Sequence, residues 1–166
     1  MKRLFLTCFL TISLALSAVS QGNQWINVVA AGAANDGQTL VTAVIQNSID
    51  KAATQGGGVV YFPAGQYLTG AIKLKSNITI HLDAGATLKF SDNPDHYLPF
   101  VEMRREGVVM NSFCPLIYAN NVENITIEGR GVLDGNGKKW WDTTLANIDQ
   151  INKKGDIAEL NRYQKM

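Results

Sequence analysis

The chain has 166 residues, with 15 lysines and arginines against 14 aspartates and glutamates, and 46% of its residues are hydrophobic. That length and composition suit one globular domain with a real core. The near-neutral balance excludes the basic surface of a nucleic-acid binder and the acidic block of a disordered tail.

The first element is an export signal. Lys2 and Arg3 precede an apolar run from Leu4 to Leu16, and Ala18 and Ser20 put small side chains where a signal peptidase reads. Residues 1–20 are therefore expected to be removed before Gln21, which directs the protein to the periplasm or the exterior. The run is too short to span a bilayer comfortably as a permanent helix, so no membrane association is expected afterwards. Cleavage leaves 13 basic and 14 acidic residues, and Cys114 as the one remaining cysteine. A lone cysteine forms no internal disulfide, and this one reads as a small buried apolar residue.

Residues 25–29 read as a short strand, broken by the turn-rich segment 31–37. Thr42 stands at an N-cap position, and Val41, Val44, Ile45, Ile49 and Ala52 recur at helical spacing. This predicts an amphipathic helix over 43–53, ended by Gly56, Gly57 and Gly58. From 59 to 134, short apolar runs are cut by glycine, asparagine and proline. Strands are predicted at 59–62, 67–68, 71–74, 78–82, 87–90, 116–119, 125–128 and 132–133. The linkers are too short for the crossover helices of a doubly wound sheet.

An internal repeat separates the remaining possibilities, an antiparallel sandwich and a solenoid. Asn77-Ile78-Thr79-Ile80 returns 47 residues later as Asn124-Ile125-Thr126-Ile127, each copy followed by glycine and a second short strand. Such an offset suits successive coils of an all-β parallel β-helix, in which like side chains stack along the axis. Ile78 with Ile125, and Ile80 with Ile127, are expected as inward ladders, with Thr79 and Thr126 outward. The apolar face of the predicted helix is suited to capping the open edge of the first coil.

Several segments carry a resemblance. Asn27-Val28-Val29, Gly32-Ala33, Asp36-Gly37, Thr42-Ala43-Val44-Ile45-Gln46 and Ile49-Asp50 resemble the N-terminal signature of the pectin-lyase-like superfamily. Gly57-Gly58-Val59-Val60-Tyr61-Phe62-Pro63-Ala64-Gly65-Gln66-Tyr67 continues it. Leu82-Asp83-Ala84-Gly85-Ala86-Thr87-Leu88, Gly129-Arg130-Gly131-Val132-Leu133-Asp134-Gly135-Asn136-Gly137 and Trp140-Trp141 narrow it to a set similar to glycoside hydrolase family 28. The resemblance implies a right-handed, single-stranded parallel β-helix with a capping helix. Its first coils would lie in 21–142, followed by a polar loop segment over 143–166.

It also implies function: inverting hydrolysis of galacturonan or rhamnogalacturonan by a monomer, on a pectic polysaccharide or oligogalacturonide, with no metal or other cofactor. In that family the acids come from an Asn-x-Asp motif and an Asp-Asp pair, with Gly-His-Gly and Arg-x-Lys motifs nearby. The last three do not occur in this sequence. The set follows the Trp-Trp segment in the family, so the chain reads as the N-terminal part of such an enzyme, with no catalytic residue assigned and no activity expected of it alone.

The remaining residues sort by chemistry. Family members resembling this chain carry an Arg-x-Glu-Gly element before a strand like Pro115-Leu116-Ile117-Tyr118-Ala119. That makes Arg104 and Glu106 candidate substrate contacts, because a guanidinium grips a uronate carboxylate bidentately. A salt bridge between the two that pins their loop is the alternative. Trp140 and Trp141 can stack on sugar faces or wedge their segment onto the barrel. Asp134, Asp92 and Asp95 sit among glycine, asparagine and proline as turn residues do. His81 alternates with inward Ile80 and Leu82, so it faces outward or joins a polar ladder, and it lacks a second metal ligand at useful spacing. The Asn-Ile-Thr sequons are explained by coil repetition, and Gly56-Gly57-Gly58 is a turn. A calcium-dependent lyase and a non-catalytic adhesion or glycan-binding β-helix share this fold; the Asp134-to-Trp141 segment favours the hydrolase.

Overall fold

The computed structural model describes residues 24–105 and 107–154. The export signal expected over 1–20, the contact expected of Glu106 and the last twelve residues of the polar segment lie outside them. In chain order the elements are β1 (Trp25–Asn27), β2 (Asp36–Leu40), α1 (Thr42–Thr54), β3 (Gly58–Phe62), β4 (Gly65–Thr69) and β5 (Ile72–Lys73). There follow β6 (Ile78–Leu82), β7 (Ala86–Phe90), a 3-10 turn (Pro94–Tyr97), β8 (Val101–Arg105) and β9 (Val108–Ser112). β10 (Ile117–Tyr118), β11 (Thr126–Gly129), β12 (Val132–Asp134) and α2 (Lys138–Lys154) complete the series.

The strands stack as parallel ladders: β1-β3-β6-β11, β2-β4-β7-β12 and β5-β10. The chain forms the first coils of a right-handed parallel β-helix, with α1 as its N-terminal cap. Thr126 pairs with Thr79 and Ile127 with Ile80, so the repeat seen in the sequence is one coil of the helix. Val60 pairs with Ile80, so the coil before takes less than half as many residues. The difference accommodates the hairpin of β8 and β9.

Alternation along each strand builds the core. In β6 and β7 every other residue is buried, placing Ile78, Ile80, Leu82, Ala86, Leu88 and Phe90 inside. Full burial of one such aliphatic side chain stabilises by about 1.5–3 kcal/mol. Ile125 packs against this core, whereas Ile127 on the last coil is 42% exposed although it stacks on Ile80. Gly129 is required where β11 ends: its φ is +112°, and a Cβ there would sit 1.9 Å from the Leu82 carbonyl oxygen.

The cap uses Ile45, Ile49 and Ala52, all fully buried against the first coils. Thr42 does not serve as the N-cap. It is the first helical residue, Val41 precedes it with no side-chain cap bond, and the Thr42 hydroxyl instead accepts from the Gly70 amide at 2.6 Å. That bond ties the cap to the turn after β4.

Four elements, β2, β8, β9 and α2, differ from the sequence reading. β2 replaces part of an expected turn; its residues are mostly exposed, so no apolar alternation marks it. β8 and β9 form an antiparallel hairpin where a loop was expected. The segment expected as a polar loop from 143 onward is helical through Lys154, within α2. Among the described residues no helix is long and apolar enough to cross a membrane.

Candidate functional site

Between β7 and β10 the chain leaves the barrel. It turns through Pro94–Tyr97, runs out along β8, back along β9, and rejoins the stack at β10. β8 and β9 are paired from Val101 with Ser112 to Arg105 with Val108. The hairpin forms one wall of an open cleft of 330 Å³, with Glu102, Met103, Arg104 and Val109 on that wall. The opposite side is Tyr118, Ala119 and Asn120, from the end of β10 and the turn after it.

Each side chain has a reason to be there. Glu102 and Arg104 are two apart on one strand, so they project from the same face. Tyr118 is half-buried where β10 pairs with β5, and the Asn120 amide donates to its hydroxyl at 3.1 Å. Asn121 then takes a left-handed φ of 53°, which turns the chain away. The cleft thus offers a cation, a carboxylate, a phenol and an amide within a space the size of one or two sugar rings. Among the described residues no carboxylate lies within ion-pair distance of Arg104.

The tryptophans stand elsewhere. Trp140 is half-buried in an aromatic cluster, its ring edge-to-face with Tyr97 and with Phe113, 5.6 Å from each. Phe113 in turn meets Phe100 at 4.9 Å. Those contacts match the wedging alternative, with α2 pressed onto the segment that carries the hairpin. Trp141 is 64% exposed, and neither tryptophan lines the Arg104 cleft.

Asp134 and Asp95 both stand in turns. Asp134 accepts from the Asn136 amide at 2.9 Å, and Asn93 accepts from the Asp95 amide at 3.1 Å. Two triplets, Asn93-Pro94-Asp95 and Asn147-Ile148-Asp149, have the Asn-x-Asp spelling, but the first is this 3-10 turn and the second lies within α2. His81 both faces outward and joins a ladder: Asn27, Tyr61, His81 and Glu128 are register partners, and His81 Nδ1 lies 3.0 Å from Glu128 Oε1. Burial pushes the Cys114 thiol up and holds it protonated. Among the described residues no three His, Cys, Asp or Glu side chains gather as metal ligands would.

Tyr118, Asn120 and Glu102 do not stand out in the sequence. Tyr118 lies within a strand marked by its apolar pattern, and nothing in the linear order shows that it faces Arg104 across a cleft.

Comparison with known proteins places this geometry among polysaccharide-active β-helices. The family model described as rhamnogalacturonase A/epimerase, pectate lyase-like matches residues 25–113. An exo-poly-α-D-galacturonosidase of Dickeya chrysanthemi is 41% identical over 121 residues, 69% of this chain and 20% of that protein. The structure of a hyperthermoactive exopolygalacturonase from Thermotoga maritima superposes with a TM-score of 0.65 at 42% identity, over 68% of this chain and 25% of the other. A mannuronan C5-epimerase of Azotobacter vinelandii is 44% identical over 154 residues, 82% of this chain and 15% of that protein. The chain therefore spans a fifth or less of the length of these two curated relatives.

Proposed function

The chain belongs to the rhamnogalacturonase A/epimerase, pectate lyase-like family, and from that premise we propose that it forms the capped end and one cleft wall of an exported hydrolase of pectic polysaccharide. The reaction is inverting hydrolysis of galacturonan or rhamnogalacturonan, of polygalacturonase type. The observation that carries this reading is the cleft in which Arg104 faces Tyr118 and Asn120. A guanidinium offers two parallel N–H groups to a uronate carboxylate. Glu102 and Asn120 are placed to bond sugar hydroxyls, and the Tyr118 ring gives an apolar face.

No residue of this chain is assigned as the general acid or base. An inverting pair stands apart with a water between, and the chain's contribution is to bind and orient the uronate chain. Trigalacturonate titration tests the reading. Arg104→Ala should weaken binding about tenfold or more, as loss of a charge-assisted contact does; unchanged affinity would sink it. The purified chain should release no reducing sugar from polygalacturonate above an empty-vector control.

A second reading, action on a different uronan such as mannuronan, is favoured by the likeness to the C5-epimerase. Trimannuronate competing as well as trigalacturonate for the cleft would support it.

A further inference from the structure

Among the described residues the hairpin that carries Arg104 belongs to no sheet of the barrel: β8 pairs with β9 alone. Its position rests on its base. There Phe100 and Phe113 flank the first and last residues of the hairpin, Val101 and Ser112, which are register partners. The two phenyl rings meet edge-to-face at 4.9 Å, and Phe113 meets Trp140 at 5.6 Å. Trp140 leans on Tyr97, and Tyr97 is fixed to the barrel. Its side chain is buried with the hydroxyl donated to the Ser91 carbonyl, and its own carbonyl accepts from the Cys114 amide at 2.9 Å. The neighbouring His96 carbonyl accepts from the Ala71 amide of the barrel at 3.1 Å, across Gly70, where a Cβ would collide with it.

The rings thus form one line from the barrel to the hairpin: Tyr97, Trp140, Phe113, Phe100. The only member supplied by α2 is Trp140, which enters from a helix distant in sequence. Edge-to-face packing is directional, so removing the middle of the line frees the base to rotate.

We propose that Trp140 is a positioning residue for the cleft: acting through Phe113, it holds the hairpin base and so fixes where Arg104 stands relative to Tyr118 and Asn120. The proposal rests on the reading of that cleft as a uronate site, but its first test does not. Amide hydrogen exchange over residues 101–112, compared with β6 and β7, reports hairpin order with no ligand present. Trp140→Ala should speed exchange in the hairpin about tenfold while β6 and β7 keep their protection. Phe113→Leu, which removes the adjacent ring, should reproduce the pattern. Trp140→Phe, which keeps an edge for Phe113, should restore most of the protection.

Trigalacturonate binding is the second measurement. It should weaken about fivefold or more in Trp140→Ala and recover in Trp140→Phe, with Arg104 intact throughout. Unchanged hairpin exchange in Trp140→Ala overturns the proposal, and so does a loss of protection that spreads equally to β6 and β7, since that marks a merely structural residue. Faster hairpin exchange in a protein whose wild type binds no trigalacturonate retains the positioning role and overturns the uronate reading instead.

Discussion

Asn124 donates its side-chain amide to the side chain of Asn77 one coil below, at 2.8 Å, and both residues hold left-handed backbone, with φ of 55° and 63°. Asparagine tolerates that conformation where most residues do not, and stacking gives each amide a partner. Asn124→Ala loses both advantages and should destabilise by about 2 kcal/mol. Asn124→Gly keeps the backbone and loses only the bond, for about 1 kcal/mol. Urea unfolding midpoints of the two variants give the order; equal losses would mean that the side-chain bond alone matters.

This ladder also shows which features are legible in the residues themselves. Asn, Ile, Thr and Ile recur at one spacing because stacked coils impose the same burial and the same backbone at equivalent positions, so β6 and β11 align on sequence alone. The hairpin is not legible in that way. Glu102, Arg104, Val108, Val109 and Met110 are exposed, so no buried face writes an alternation into the residues. β2 is hidden for the same reason. α2 is obscured by its lysines, asparagines and threonines, and Trp140 is its anchor in the aromatic line. At the site, Arg104 stands out as a cation in a segment with no apolar pattern, but Tyr118 and Asn120 join it only through the coil that brings β10 beneath the hairpin.

Gly129 lies under the Leu82 carbonyl with φ of +112°. Gly129→Ala asks for a left-handed conformation and for space that backbone already fills. The β6–β11 pairing must then shift, at about 3 kcal/mol or more. A single thermal transition moved by less than a degree or two would contradict this.

Asp36 accepts from the amides of Thr39 and Gln38 and from the Thr39 hydroxyl, which hold its carboxyl down from 3.8 to about 2. A depressed carboxyl favours the folded state when ionised. Its contribution is full above the unfolded value and is lost as pH falls from 3.8 toward about 2. Asp50, paired with Lys75, and Asp83, bonded by Tyr61, are lowered too and act in the same direction. Thermal midpoints measured from pH 6 downward should fall in that window, and less steeply in Asp36→Asn. The group is fully exposed, so the difference will show as slope rather than as a large offset.

The last described coil leaves Ile127 at 42% and Leu133 at 45% exposure, although their register partners Ile80 and Leu88 are fully buried. Among the described residues nothing stacks above these inward ladder positions or pairs with the outer edges of β11 and β12, and such open edges invite pairing with another copy. The 166-residue chain should therefore self-associate with rising concentration in sedimentation velocity. Leu133→Lys should reduce that, because a charge at an edge opposes strand addition. A monodisperse monomer at all concentrations would count against it.

The grip of Arg104 on a carboxylate can be separated from every other effect of its removal. Methyl esterification of trigalacturonate neutralises the charge that Arg104 is proposed to hold, without touching the protein. If the two groups meet, the ester should bind wild type about as weakly as the acid binds Arg104→Ala, and Arg104→Ala should scarcely distinguish acid from ester. The coupling from this cycle should be about 1.5 kcal/mol, at the low end for charged hydrogen bonds because Arg104 is exposed to screening solvent. Additive losses, with coupling near zero, would mean that Arg104 supports the cleft but does not touch the uronate. Arg104→Lys refines the answer: it keeps the charge and loses the bidentate fork, so an intermediate affinity points to geometry as well as charge.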